Sequence, residues 1–217
     1  MGKLASKYKS LFHNKTFITG FVVGLLLLIG SMFVNYAAAT YAYDRESNPV
    51  TDIILSNTPV FDVDGTFIFG PLIFWAIMIV ILLANPKTIP FSLKSIALFI
   101  LIRSAFISMT HIGPYPNQIN VDAIGPRLAY LWSFISTGGD MFFSAHTGLP
   151  FLMGLIFWRN KVIRWFCIFA ATFFGVVVLL GHLHYTIDVA SAFFITYTIY
   201  HIAEWTFPKD KKLFLGN

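Results

Sequence analysis

The sequence contains few charged residues for its length. Only 12% of its 217 residues are Asp, Glu, Lys or Arg, and 57% are hydrophobic, whereas soluble domains carry roughly 25% charged residues. The mean hydropathy is +0.72. This composition excludes an ordinary water-soluble domain and indicates an integral membrane protein. The net charge of +5 does not indicate nucleic-acid binding, because the basic residues are scattered over short segments between apolar runs.

Cysteine is almost absent as well. The single cysteine, Cys167, lies inside an apolar run, which excludes an intrachain disulfide and a metal cluster built on thiolates. The six histidines show no His-Glu-x-x-His spacing of the kind that binds zinc. We therefore expect a protein that works without a metal or a cofactor.

The sequence has no long hydrophilic stretch, and its apolar runs are long enough to cross a membrane. A spanning helix needs roughly 20 apolar residues to cross about 30 Å of hydrocarbon. The apolar segments cover residues 17–39, 67–84, 91–110, 145–158, 165–181 and 185–205. The fourth is the shortest, and it crosses only if it extends into Phe142 and Phe143. We predict an all-α integral membrane protein in which six transmembrane helices form a catalytic domain over residues 17–205, between a basic N-terminus (1–16) and a basic tail (206–217).

The basic residues predict the orientation of these helices. Most lysines and arginines precede the first span, follow the second or fourth span, or lie in the tail. These segments share one side, which the positive-inside rule makes cytoplasmic. Both termini are then cytoplasmic, and the loops 40–66 and 111–140 lie outside. A signal peptide cleaved near residues 37–39 is the alternative for the first span, and it would leave the other five spans in the same orientation.

Two polar motifs lie at the non-cytoplasmic ends of the fourth and sixth spans. His184 and Asp188 are four residues apart, so on a helix they share a face and the carboxylate can orient the imidazole. His146 lies where the fourth span begins, and a helix N-terminus favours a phosphate. A structural pair and a capping histidine are the alternatives. The convergence of both motifs at one depth favours a site for phosphoryl transfer.

These residue types permit a two-step transfer of a phosphoryl group. His184, oriented by Asp188, attacks phosphorus, and His146 protonates the departing oxygen. A cation must balance the charge of the transition state. Arg103 lies well inside the third span, where an unpaired guanidinium is costly, so we expect it to face the bundle interior. Snorkelling of Arg103 towards the headgroups is the alternative.

The motifs resemble those of the type 2 phosphatidic acid phosphatase superfamily, and within it the sphingomyelin synthase-related branch. Gly139-Asp140 followed by Ser144-Ala145-His146-Thr147 is similar to the Gly-Asp…Ser-Gly-His-Thr element of that branch. His182–Val189 resembles its His-x-His-Tyr-Thr-Val-Asp-Val element. Asn48–Asp52 resembles the proline-rich element of the first outer loop, and Arg103–Pro116 resembles a segment of the third helix. The resemblance covers residues 48–200 in the family's order.

The resemblance implies a six-helix fold with a triad of His146, His184 and Asp188 that faces the exterior, the periplasm or an organelle lumen. No metal or cofactor is implied. The residues implied to contact phosphate or substrate are Arg103, Ser144, Thr147, Asp140, Tyr185 and Asp52. The sequence also departs from the family, because Val178–Leu180 stand where the phosphatase branch has a phosphate-binding arginine. This departure favours the transferase branch.

We therefore expect a lipid phosphotransferase that moves a phospho-headgroup from a phospholipid to a ceramide-like or diacylglycerol-like alcohol through a phosphohistidine. A lipid phosphate phosphatase, with water as the acceptor at the same triad, is the alternative. A transporter is a rival from another class, but its titratable groups would be spread through the membrane depth. A non-catalytic scaffold is a further alternative. The expected partners are the two lipid substrates, and a homo-oligomer stays open.

Overall fold

The computed structural model describes residues 8–119 and 141–215, and within these ranges the chain is helical and contains no β-strand. A short helical turn over residues 8–11 comes first. The helices that follow are α1 (Lys15–Tyr43), α2 (Asp64–Ala84), α3 (Ile89–Met109), α4 (Ala145–Ile156), α5 (Lys161–Leu180), α6 (Thr186–Thr206) and α7 (Pro208–Leu215). Two 3₁₀ turns lie at Leu55–Asn57 and Pro86–Thr88. Each of the six apolar segments of the sequence therefore forms a helix, α1 to α6.

Four of the described helical segments are long and apolar enough to cross a membrane. They are α1, α2, α5 and the continuous segment Pro86–Met109, which contains α3. Helix α4 is apolar but has only 12 residues, in line with the short fourth segment of the sequence. Helix α6 has the length of a span, but polar residues such as Asp188 and His201 keep it out of this group. The described part of the chain is thus that of a helical membrane protein, and the count of six spans stays a prediction.

The connections between helices gather at two opposite ends of the bundle. At one end, which we call the site end, backbone hydrogen bonds join the loops. Three of these N–H···O=C bonds are Ser47 to His111 at 2.6 Å, Phe61 to Leu180 at 2.9 Å and Ser144 to Asp188 at 3.1 Å. The opposite end contains the connections 84–89 and 157–160 together with α7, and we call it the basic end. Its basic residues are Lys87, Arg159, Lys161, Lys209, Lys211 and Lys212.

Two glycines let α4 pack closely against its neighbours. A Cβ on Gly148 would lie 2.6 Å from a ring carbon of Phe99 in α3 and 2.8 Å from the hydroxyl of Thr196 in α6. On α5, a Cβ at Gly175 would lie 2.9 Å from Val189. These distances are too short for a real side chain. Gly148 therefore allows α4, which carries His146, to pack against α6, and Gly175 allows α5 to pack against α6 and against Thr147 of α4.

The described part of the basic tail is a docked helix. Helix α7 buries Asp210, whose carboxylate accepts a hydrogen bond from Lys94 Nζ at 2.6 Å. Nearby, the Phe157 and Phe214 rings lie 6.2 Å apart in an edge-to-face arrangement. From the sequence, residues 206–217 are expected only as a basic segment, and the boundary after residue 205 stays a prediction. The structure adds that α7 packs onto the basic end.

Candidate active site

A tight reversal between α5 and α6 carries the second histidine motif. Helix α5 ends at Leu180, and the N–H groups of His182 and Leu183 turn back to bond the carbonyls of Leu179 and Val178 at 3.0 and 2.8 Å. The reversal requires a positive φ of 55° at His182, which is uncommon for a residue other than glycine. It places His184 just before Tyr185, the N-cap of α6, so His184 and Asp188 do not lie on one helix as the spacing predicted.

His184 and Asp188 form a buried pair. Nδ1 of His184 lies 3.3 Å from Oδ2 of Asp188, and Asp188 has no solvent exposure. The same oxygen accepts the backbone N–H of Tyr185 at 3.0 Å. Because a carboxylate can only accept, this contact favours the tautomer with a proton on Nδ1 and leaves the Nε2 lone pair for attack on phosphorus. The other oxygen of Asp188 is buried without a hydrogen-bond partner among the described residues.

The N-terminus of α4 lies directly beside this pair. The backbone N–H of Ser144, the N-cap of α4, donates to the carbonyl of Asp188 at 3.1 Å. The Ser144 hydroxyl is buried and makes no hydrogen bond within the described residues, and the same holds for the hydroxyl of Thr147 in the first turn. The positive end of the α4 dipole and two unsatisfied hydroxyls thus lie where an anion would be stabilised.

His146 shares an apolar wall with the second motif. Its imidazole stacks on the Phe67 ring of α2, with ring centroids 4.3 Å apart and an interplanar angle of 24°. Phe67 belongs to a buried cluster against which Leu183 and Val189 pack. Those two residues flank the His184–Asp188 pair. The structure therefore brings both histidine motifs to the site end, on neighbouring helix termini.

Arg103 is buried and faces the bundle interior. Its side chain is 3% exposed, and Nε donates to the carbonyl of Phe143 at 3.0 Å. Phe143 has a φ of 21° and immediately precedes Ser144. The guanidinium does not snorkel, and it reaches the segment that leads into α4. Its part in balancing the charge of the transition state stays a prediction.

Asp52 and Tyr185 hold the loops of the site end together. The Tyr185 hydroxyl donates to the carbonyl of Gly113 at 2.9 Å and accepts the N–H of Val50 at 3.2 Å. Asp52 bonds to Thr186 and to its own loop. Burial acts to raise the pKa of Asp52, but these hydrogen bonds outweigh burial and the pKa lies below its ordinary value. The bonds described for both side chains are to the protein itself, and their expected substrate contacts stay predictions.

One residue that matters at this site carries no clear sequence signal, and one expected residue lies outside the described part of the chain. Phe67 covers His146 but is 79 residues away in the chain, and no motif marks it. His182, the first residue of the second motif, also contributes, because its Nε2 contacts the carbonyl of Thr58 at 3.1 Å and its ring packs on Tyr115. Asp140, which the resemblance places in the first motif, lies outside the described residues. Within those residues, no three His, Cys, Asp or Glu side chains are grouped as metal ligands.

Comparison with known proteins gives one match. Residues 137–206 match the family model described as PAP2 superfamily C-terminal. The matched segment contains α4, α5, α6 and both histidine motifs. No curated protein and no solved structure matches the chain. The match supports membership of the type 2 phosphatidic acid phosphatase superfamily, and with it a phosphatase-type enzyme of the membrane.

Proposed function

We propose that the protein is a lipid phosphotransferase of the sphingomyelin synthase-related kind, which moves a phospho-headgroup from a phospholipid to a lipid alcohol. The observation that carries this proposal is the hydrogen bond that joins the motif of His146 to the motif of His184 and Asp188. The His184–Asp188 pair at 3.3 Å is bonded through the Asp188 carbonyl to the N-cap of the helix that bears His146. A nucleophile, the carboxylate that orients it and a second histidine then act on one phosphorus atom.

In the first step, Nε2 of His184 attacks phosphorus and the bond from phosphorus to the leaving alkoxide oxygen breaks. His146 gives its proton to that oxygen, and a phosphohistidine forms with its positive charge opposite Asp188. In the second step, His146 takes the proton of the acceptor hydroxyl, the acceptor oxygen attacks phosphorus and the P–N bond breaks. Arg103 and the N-terminus of α4 balance the charge that develops on the phosphoryl oxygens.

The acceptor decides between transferase and phosphatase. The Phe67 ring that stacks on His146 belongs to a buried apolar cluster, and it supports a lipid acceptor because it restricts the access of water to His146. Water is the second candidate acceptor, and a specific observation favours it: His146 is only partly buried. Both acceptors use the same triad, so the phosphatase reaction is our alternative function.

The charges at the two ends support the proposed orientation with six spans. Acidic residues gather at the site end, among them Asp44, Glu46, Asp62 and Asp64, whereas lysines and arginines dominate the basic end. The positive-inside rule then places the basic end in the cytoplasm and the active site on the non-cytoplasmic face. A cysteine introduced at Asn57, in a Cys167→Ala background, should react with an impermeant maleimide from that face only. Labelling from the cytoplasmic side would reverse the orientation.

The test of function is an assay of the purified protein with a phospholipid labelled on its headgroup phosphate, with and without ceramide or diacylglycerol. Label on the added alcohol supports the transferase, and water-soluble labelled phosphate products support the phosphatase. If neither labelled product forms in membranes that contain the folded protein, both the transferase and the phosphatase proposals are overturned.

His184→Ala should abolish either reaction, with a loss of at least about 10⁴-fold, because no other group replaces the nucleophile. An acid-labile phosphohistidine should be trapped on the wild type and not on this variant. His201→Ala is the matched control, since His201 lies near the far end of α6, away from His184, and is partnered by Glu204. Undiminished turnover in His184→Ala would end the assignment of His184 as the nucleophile.

A further inference from the structure

Asp52 contacts the catalytic helix from a distant part of the chain. Its Oδ2 accepts the backbone N–H of Thr186 at 2.7 Å, and its Oδ1 accepts the Thr186 hydroxyl at 2.8 Å. These residues are 134 positions apart in the sequence. Thr186 is the first residue of α6 and lies between His184 and Asp188. The carboxylate of Asp52 therefore binds the N-terminus of α6, between the two residues of the His184–Asp188 pair.

The same carboxylate also fixes its own loop. Oδ1 accepts the N–H groups of Ile54 and Leu55 at 2.9 and 3.1 Å. Leu55, at the start of the 3₁₀ turn, is buried. Asp52 itself is 9% exposed. The hydrogen bonds to Thr186 thus come from a folded segment and not from the tip of a free loop.

These bonds favour a structural role for Asp52 over contact with phosphate. An ionised carboxylate offers about four acceptor positions and no donor, and four hydrogen bonds already reach Asp52. A phosphate oxygen also needs a donor or a cation, whereas a carboxylate repels it. The charge of Asp52 is instead well placed at the N-terminus of α6, where the helix dipole favours an anion.

Two carboxylates accept hydrogen bonds from the backbone at the start of α6. Asp188 accepts the N–H of Tyr185 from within the helix, and Asp52 accepts the N–H of Thr186 from the first loop. The direction of this turn sets the line from His184 Nδ1 to Asp188 Oδ2. Catalysis is sensitive to such alignment, since a displacement of about 1 Å can cost about 100-fold in rate.

We propose that Asp52 is a positioning residue, which holds Thr186 so that Asp188 and His184 stay aligned for attack on phosphorus. This inference rests on the proposed function of the triad. Asp52 does not touch the substrate, so its loss should lower the rate of the chemical step and leave substrate affinity nearly unchanged.

The first test is kinetic. We expect Asp52→Ala to lower kcat by about 100-fold with KM within about threefold of the wild type, following the expected pattern for a lost transition-state alignment. Asp52→Asn should be less impaired, because its amide oxygen still accepts a bond from Thr186. Asp62→Ala is the matched control from the same loop, with an exposed side chain, and should keep the wild-type kcat. A raised KM at unchanged kcat would instead make Asp52 a substrate contact and overturn the proposal.

The second test does not depend on activity. Hydrogen exchange at the start of α6 should accelerate in Asp52→Ala and in Asp52→Asn, while exchange in α5 and in the rest of α6 stays as in the wild type. Unchanged exchange at Thr186 in both variants would overturn the proposal. If the wild type shows neither reaction, the proposed function fails, and this measurement still decides whether Asp52 holds α6. If Asp52→Ala does not fold, Asp52→Asn gives the answer.

Discussion

The two ends of the bundle each bury a carboxylate, and they use it differently. At the basic end, Asp210 is 4% exposed and pairs with Lys94 at 2.6 Å, so a positive charge neutralises it. At the site end, Asp188 faces the Nδ1 of an imidazole at 3.3 Å, and its second oxygen has no partner among the described residues. One carboxylate is satisfied within the protein, whereas the other is left with capacity to interact.

The same difference extends to the surroundings of each carboxylate. Around Asp210, Lys211 of α7 pairs with Glu204 of α6, and Glu204 also contacts His201, so further ionic contacts join these two helices. Around Asp188, the buried hydroxyls of Ser144 and Thr147 make no hydrogen bond within the described part of the chain. Buried polar groups without partners are costly. We expect a bound phosphate to supply the missing bonds of Ser144 and Thr147, whereas the ion pairs of the basic end hold helices together.

Asp188→Asn should give the largest effect that separates the two ends. The amide can still accept the N–H of Tyr185, but it no longer stabilises the imidazolium that forms on His184. By analogy with catalytic triads, the rate should fall by about 10⁴-fold. Thermal unfolding in detergent should stay close to that of the wild type. Measured turnover and KM check this, and a loss of binding with an intact chemical step would make Asp188 a headgroup contact.

His146→Ala should give the next largest effect, about 10²- to 10⁴-fold with a natural phospholipid. The loss should shrink with a nitrophenyl phosphodiester, because nitrophenolate leaves without a proton. Turnover of the two substrates by the variant and the wild type provides the test. Equal impairment with both leaving groups would show that His146 shapes the site, for example through its stacking on Phe67, and is not the general acid.

Asp210→Asn should show the opposite behaviour to Asp188→Asn. Removing one partner of a buried ion pair leaves Lys94 charged and unpaired, which costs about 3–5 kcal/mol of folding stability. The rate per folded molecule should not change. Replacing both residues at once, as in Lys94→Met with Asp210→Leu, should recover most of the lost stability. A large drop in turnover at wild-type stability would contradict the separation between the two ends.

The pH dependence should give the smallest effect. Hydrogen bonds hold the pKa of Asp52 below its ordinary value in the folded protein, while in the unfolded chain it lies near 3.9. The charged form therefore stabilises the fold at pH values above the unfolded pKa, and this contribution is lost as the pH falls through the folded pKa. The stability difference between the wild type and Asp52→Asn should be constant near neutral pH and shrink below about pH 4. A stability difference that grows as the pH falls would contradict the lowered pKa of Asp52.

The helices follow from the sequence for a physical reason. In hydrocarbon every backbone polar group must be bonded within the chain, so a long apolar run can only be a helix or part of a barrel. The predicted segments match α1 to α6, but the ends differ. Helix α1 begins at Lys15, because Asn14 accepts the N–H groups of Thr16 and Phe17, and it runs on to Tyr43. Hydropathy cannot locate such an end, since a cap is one polar side chain.

The sequence does not predict α7, and the reason is tertiary. The helix is short and polar, and an isolated helix of this length is marginal in water. Its stability comes from Lys94 on α3 and from the ring of Phe157 at the end of α4. Neither contact can be seen in the residues Pro208–Leu215 themselves.

By itself the sequence determined the helical membrane fold and the His184–Asp188 pair, because both depend on local rules. A long apolar run in lipid forms a helix or part of a barrel, and a spacing of four residues keeps the two side chains within reach. The structure refines the geometry of the pair, because His184 lies just before the N-cap Tyr185 and Asp188 lies in the first turn of α6. Only the tertiary structure decided that Phe67 covers His146 and that Asp52 grips Thr186. These contacts join residues far apart in the chain on different structural elements. No periodicity encodes such a pairing, because it depends on how the helices and loops pack.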